Sequence, residues 1–208
     1  MTLEDTQVMR IHEGQAETLK PEQFQQVIAH TLETSAYPLR DCAILQIGYR
    51  CGLRAMEIAK LNLSDLMDDK GKIREQVTLR KKTTKGHRGG TAYFNHPALL
   101  DALNAYLVLK RSTKAMQYQN VFISRKATPF SPSSMSRLVS TLYSNAGYER
   151  ATNHSGRRSL ASNLNKQNVS VYNVSKILRH SSITTTVNHY LSVDKDTLAE
   201  LVKSVDNM

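Results

Sequence analysis

The sequence predicts a mainly α-helical fold carrying one small β-sheet. Three observations support that prediction. Along most of the chain, apolar residues recur at three- and four-residue intervals, several times just after a helix-starting proline. One stretch, from Ile73 to Phe94, instead alternates on either side of a basic, glycine-rich turn. The length of 208 residues and a hydrophobic content of 40% suffice for one sizeable core.

Taken in order, residues 1–19 lack clear periodicity and read as an arm or an ordered strap. Pro21 suits a first helical position, and PEQFQQVIAHTLE puts Phe24, Val27, Ile28 and Leu32 on one stripe. Ser35 to Pro38 breaks that helix. LRDCAILQIGYRCG is apolar around most of its circumference, as a buried central helix is, and Gly52 fits its C-terminal stop. In CGLRAMEIAKLNLSDL, Met56, Ile58, Ala59 and Leu61 anchor a short helix with Arg54 at its start. A cation there opposes the helix dipole, which is tolerable where a phosphate binds. On local evidence alone, an ion pair from Arg54 to Glu57 or Asp65 is the better reading.

Ile73–Arg80 and Thr91–Phe94 have the composition of a β-hairpin. Its tip, KKTTKGHRGG, holds Lys81, Lys82, Lys85, His87 and Arg88. Such a run is commonly a solvated loop tip. The functional alternative is a lysine reaching into a DNA minor groove or towards a scissile phosphate. Pro97 opens PALLDALNAYLVLKR, with Leu99, Leu100, Leu103 and Leu107 inward, and Val121–Ser124 reads as a brief strand. Ser131 and Pro132 cap SMSRLVSTLYSNAG, which ends at Gly147. Ser159–Asn165 continues the helix that carries Arg157, and Val171–Leu178 is another helix, followed by an HSSITTT turn. Last comes DKDTLAELVKSV, with Leu198, Leu201 and Val202 on one side.

Lysine and arginine number 28 against 18 acids, a formal charge of +10, so the leading partner class is a polyanion such as nucleic acid. No apolar run is long enough to cross a membrane, and the polar, acid-bearing start MTLEDTQVMRIHEG is not a secretory signal. Cys42 and Cys51 lack metal-ligand spacing and read as packing residues in a reducing compartment. The expectation is a cytoplasmic protein with no metal and no membrane partner.

The densest chemistry lies between Thr152 and Tyr190. That stretch holds His154, Arg157, His180 and Tyr190. His154 and Arg157 sit about a turn apart on a helical segment and share a face. Arginine offers a planar fork of donors to phosphate oxygens, histidine trades a proton near neutral pH, and an activated tyrosine hydroxyl is a covalent nucleophile. Singly, each has a bland reading: a solvated helix face, or a half-buried tyrosine. Together, a phosphate-gripping cluster that ends on a tyrosine suggests phosphoryl transfer through a phosphotyrosine. Tyr172 fits no such pattern and reads as packing.

Four segments, GLRAMEI, KKTTKGHRGG, NHSGRRS and LRHSSITTTVNHY, occur in an order and spacing that resemble the catalytic domain of the tyrosine recombinases, the phage-integrase family. The resemblance covers nearly all of residues 18–194. It implies a mainly helical domain with a small three-stranded antiparallel sheet, preceded by an arm over 1–17 and followed by a C-terminal helix over 195–208 that relatives exchange between protomers. It also implies Arg54 and Arg157 as phosphate clamps, Lys85 as the acid for the leaving oxygen with Lys82 as second choice, His154 and His180 assisting, and Tyr190 as nucleophile. Lys81, Lys82, His87, Arg88, Arg158 and Arg179 would contact DNA. The partners implied are double-stranded DNA, further copies of the chain in a tetrameric synapse, and a host DNA-bending protein or partner recombinase. No cofactor is implied, because the phosphotyrosine conserves the bond energy.

The chain departs from the family pattern in four places. Gly156 and Arg158 stand in His154-Ser-Gly-Arg157-Arg158 where leucine and histidine are frequent, and Arg179 stands where glycine commonly precedes His180. Tyr190 lies one residue farther from His180 than in many relatives, with His189 between. The length leaves no room for the N-terminal DNA-clamping domain of most relatives, an expectation that makes the single-domain fimbrial-switch invertases the natural comparison. Two rival readings share the resemblance: a DNA-binding accessory protein that has lost turnover, and a type IB topoisomerase-like activity.

Overall fold

The computed structural model describes residues 16–81 and 89–190; for 114, 115 and 188–190 it describes the backbone alone. Nine α-helices and two strands make up the described part: α1 (Pro21–Thr34), α2 (Pro38–Arg50), α3 (Ala55–Ala59), α4 (Leu63–Leu66), β1 (Gln76–Leu79), β2 (Gly90–Tyr93), α5 (Pro97–Ser112), α6 (Pro132–Asn145), α7 (Ser155–Lys166), α8 (Val171–Ile177) and α9 (Ile183–Tyr190). No helix among the described residues is long and apolar enough to cross a membrane.

Helix α2 is the axis of the core. It buries Cys42 through Ile47 and Tyr49, so it is enclosed on all sides, as its apolar circumference predicts. Helices α1, α5 and α7 pack around it. Phe24 of α1 stacks on Tyr49 of α2 with ring centroids 3.8 Å apart. The α1 stripe ends differently from the prediction: Thr31 is buried, its hydroxyl donating to Val27 O at 2.7 Å, while Leu32 is 47% exposed. Ahead of α1, residues 16–20 run as a short strap against α7; the rest of the segment read as an arm or a strap, residues 1–15, lies outside the described residues. Leu19 is buried, its amide donates to Ser159 Oγ at 2.8 Å, and Arg158 Nη1 donates to Ala16 O at 2.6 Å.

Helices α2 and α7 meet backbone to backbone at Gly48 and Gly156. A Cβ on Gly156 would come within 2.9 Å of the Gly48 carbonyl carbon. The close approach explains why a glycine occupies this place in the His154–Arg157 segment: a leucine would force the two helices apart.

Strands β1 and β2 pair antiparallel, with Val77 opposite Ala92 and Leu79 opposite Gly90. The small antiparallel sheet is therefore present, with two strands among the described residues where three were expected. Val121–Ser124 does not join it. Val121 O is taken by the Tyr106 hydroxyl (2.9 Å) and by Lys110 Nζ (3.0 Å), and Val121 N donates to Leu61 O, so its backbone is already satisfied outside a ladder. Two other sequence readings change. Ile183–Thr186 opens α9 instead of forming a turn, and Tyr172 is 59% exposed beneath Lys176, whose Nζ lies 5.1 Å from the ring centroid.

Candidate active site

The floor of the site is the link between α2 and α3. Gly52 adopts the left-handed conformation (φ +59°) that terminates α2, and there its carbonyl faces α7 and α8. Arg157 Nη1 donates to that oxygen at 2.5 Å, and Arg157 Nη2 donates to Leu178 O. Two carbonyls from separate elements thus hold a guanidinium that is only 3% exposed.

Arg54 is the N-cap of α3. Its amide donates to Glu57 Oε2 at 2.8 Å, and its Nη1 pairs with Glu57 Oε1 at 3.0 Å. The ion pair anticipated from local sequence is there, with Glu57 as its acid; Asp65 pairs with Arg80 instead, at 3.1 Å. The Arg54 side chain keeps 25% of its surface exposed, while Glu57 fixes its Nη1 and its amide.

Glu57 is 1% exposed and serves a second cation, Arg179 Nη2, at 3.2 Å. Arg179 Nη2 also donates to Gly52 O (3.0 Å) and Arg179 Nη1 to Ile177 O (2.9 Å). Burial pulls the Arg179 guanidinium below its ordinary range; nearby Glu57 pushes it back up, and Arg54 pulls it down. Three arginines from α3, α7 and the end of α8 are therefore linked through one buried carboxylate and one carbonyl. Cys51, beside this floor, donates its thiol to Tyr93 O at 3.1 Å, and burial raises it far above the reactive range.

His180 follows Arg179 directly. Its amide donates to Ser175 O at 3.0 Å, and its Nδ1 lies 2.7 Å from the hydroxyl of Thr186, a buried residue of α9. This bond ties the loop to the helix that ends in Tyr190. By backbone register Tyr190 lies one turn beyond Thr186, on the same face. His154 is the exposed N-cap of α7, its amide donating to Thr152 Oγ1 at 3.2 Å.

The structure thus gathers Arg54, Arg157, Arg179 and His180, and sets His154 at the start of the Arg157 helix. Arg158 turns towards the strap, and Lys81 is exposed at the end of the first hairpin arm. Lys82, Lys85, His87 and Arg88 lie outside the described residues. Sequence reasoning did not name Glu57 as a site residue. The available signal was an acid three residues after Arg54 in an otherwise apolar short helix.

A helical domain with a small antiparallel sheet, arginines from three elements on one floor and a tyrosine-ended helix tied to it is the architecture of a tyrosine recombinase catalytic domain. The chain belongs to the phage integrase family, whose sequence profile matches residues 17–197. It is 28% identical over 166 residues to the tyrosine recombinase XerC of Caldanaerobacter subterraneus subsp. tengcongensis, covering 78% of this chain and 44% of that protein. It is 27% identical over 206 residues to transposase A from transposon Tn554 of Staphylococcus aureus, covering 95% of this chain and 55% of that one. The chain spans about half the length of these relatives. Among solved structures, the XerA recombinase superposes with a TM-score of 0.70 at 22% identity, covering 90% of this chain and 64% of that one. The XerH recombinase bound to palindromic difH substrate in a post-cleavage complex gives 0.71 at 19% identity, covering 94% and 55%. These structural likenesses establish the shared fold.

Proposed function

We propose that this chain cuts and rejoins double-stranded DNA at a specific site through a covalent 3′-phosphotyrosine. The observation that carries the reading is the shared floor: Gly52 O and Glu57 hold Arg157 and Arg54 to one place, and His180 ties that place to the Tyr190 helix. Both guanidiniums neutralise the non-bridging oxygens as charge builds on the scissile phosphate. The Tyr190 oxygen attacks phosphorus, its proton passing to a histidine of the pair His154 and His180. The bond to the 5′-oxygen breaks, and Lys85 protonates that leaving oxygen. The same steps in reverse join a partner strand, and the energy stays in the phosphotyrosine bond throughout.

Lys81, Lys82, His87 and Arg88 grip the duplex from the hairpin; Arg179, expected among the DNA contacts, is instead buried against Glu57 and Gly52, and Arg158 turns to Ala16. The assembly is a tetrameric synapse on DNA, aided by a DNA-bending protein or a partner recombinase. Residues 195–208 dock on a neighbouring copy, and the setting is the cytoplasm. The test is a nicked DNA duplex that traps the adduct. Wild-type protein forms a denaturation-resistant protein–DNA species, and Tyr190→Phe binds the same DNA without forming it. An adduct from the Phe variant would overturn the assignment of the nucleophile, and no adduct from wild type on any relative's site would overturn the recombinase reading.

A further inference from the structure

Arg179 occupies its position against three opposing effects. Its φ of +54° lies in the left-handed region that a side chain disfavours and that glycine fits without strain. Its side chain is only 6% exposed, so a full charge is withdrawn from water. Its Nε is buried with no hydrogen-bond partner among the described residues. The surroundings are shaped to admit it: a Cβ on Gly90 would come within 2.8 Å of Arg179 Cδ. A glycine at 179 would remove all three effects at once.

What the arginine contributes is connectivity and charge. It donates to Gly52 O, the same oxygen that anchors Arg157, and pairs with Glu57, the same carboxylate that anchors Arg54. Without it, Arg54 is the one guanidinium left on the buried Glu57 among the described residues, and the two formal charges cancel beside the phosphate position. With it, one carboxylate is shared by two cations, and Arg54 retains positive potential towards an incoming phosphate. We infer that Arg179 is a positioning residue that locks the two clamp arginines to each other and offsets the Glu57 charge, so that Arg54 meets the scissile phosphate as an effective cation. This inference rests on the recombinase reading for its chemistry and on the geometry alone for the locking.

The test uses Arg179→Gly and Arg179→Lys in the full chain, with folding checked by circular dichroism and thermal unfolding. Guanidinium nitrogen NMR reads the locking directly. In wild type, rotation of the Arg54 guanidinium is hindered; in Arg179→Gly it is faster. Free rotation of Arg54 in wild type, or unchanged rotation in a folded variant, overturns the inference. On the nicked duplex, adduct formation by Arg179→Gly slows roughly 10- to 100-fold, and Arg179→Lys, which keeps the charge without the fork, recovers part of that loss. Methylphosphonate at the scissile position removes the charge that Arg54 meets, so the deficit of the Gly variant shrinks there. An equal deficit on both substrates indicates a merely structural role and overturns the charge argument. Hindered Arg54 in a wild type that forms no adduct sinks the recombinase reading and leaves the locking standing; wild-type cleavage matched by Arg179→Gly does the reverse.

Discussion

At the scale of single residues, the two arginines proposed as phosphate clamps are built differently, and this separates their variants. Arg157 is buried and satisfies two carbonyls, whereas Arg54 keeps a quarter of its side-chain surface open and shares its carboxylate with Arg179. Arg157→Ala therefore loses stability, about 2–3 kcal/mol for buried charge-assisted bonds, as well as cleavage. Arg54→Ala leaves Glu57 paired and loses cleavage alone, by about 10²–10³-fold. Urea unfolding alongside adduct kinetics distinguishes the two; equal destabilisation by both would contradict this division.

Lys110 gives a pH prediction at the same scale. It is 1% exposed and donates to Asn120 O and Val121 O, and burial lowers it from 10.5 to about 8. Between those values the unfolded chain binds the proton and the folded one does not, so Lys110 makes stability rise with pH from about 8 to 10.5. Cys42 works the other way above pH 9, since burial pushes its thiol up to about 12. The clean readout is the difference between wild type and Lys110→Met in urea unfolding, which should favour wild type more at pH 9.5 than at pH 7. A difference that does not change with pH would show that Lys110 titrates at its ordinary value. The segments that carry Arg54 and Arg157 were legible because they keep family order. The inward aim of Arg179 was not, because its carboxylate partner lies 122 residues earlier in the chain.

At the scale of elements, helices with a starting proline and a periodic stripe were legible to within a residue or two: Pro21, Pro38, Pro97 and Pro132 each open one. The segments misread are those whose backbone partners come from elsewhere. Val121–Ser124 has strand composition but spends its Val121 carbonyl on Tyr106 and Lys110 and its Ile123 carbonyl on Arg40, and the Thr-rich start of α9 is helical where its composition suggested a turn. The α2–α7 crossing supplies the element-scale prediction. Gly156→Ala gains about 1 kcal/mol of helix propensity. It also drives a methyl into the Gly48 backbone, which cannot yield as a side-chain tip can, and overpacking of this kind costs about 1–3 kcal/mol. The net effect should be a lower unfolding midpoint together with slower cleavage, because α7 carries Arg157. A more stable variant would show that the helices separate without penalty.

At the scale of the whole molecule, the recombinase reading makes the charge of +10 the determinant of how the chain would meet DNA. If a protomer neutralises about six phosphates, raising salt from about 50 to 200 mM weakens half-site binding on the order of a thousandfold. A gel-shift titration on one half-site and on a paired site at two salt concentrations measures this, with the paired site the less salt-sensitive per protomer if copies support one another. A flat salt response would mean that base contacts, not phosphates, carry the affinity. Charge and family order were legible from composition and motifs. The strap over α7 was legible only as one of two options, since its anchors, Ser159 and Arg158, lie some 140 residues downstream.

The Gly52 carbonyl also bears on timing. Its two guanidinium partners lie 105 and 127 residues farther along the chain. At a synthesis rate of about 5–20 residues per second, Arg54 and Glu57 leave the ribosome roughly 5 to 20 seconds before Arg157. Throughout that interval a nascent chain carries one arm of the clamp without the other, and the tyrosine helix is later still. On the recombinase reading, a chain broken off before Arg157 carries only one arm of the proposed clamp, so any capacity to cut DNA waits until α7 and the tyrosine helix have been made.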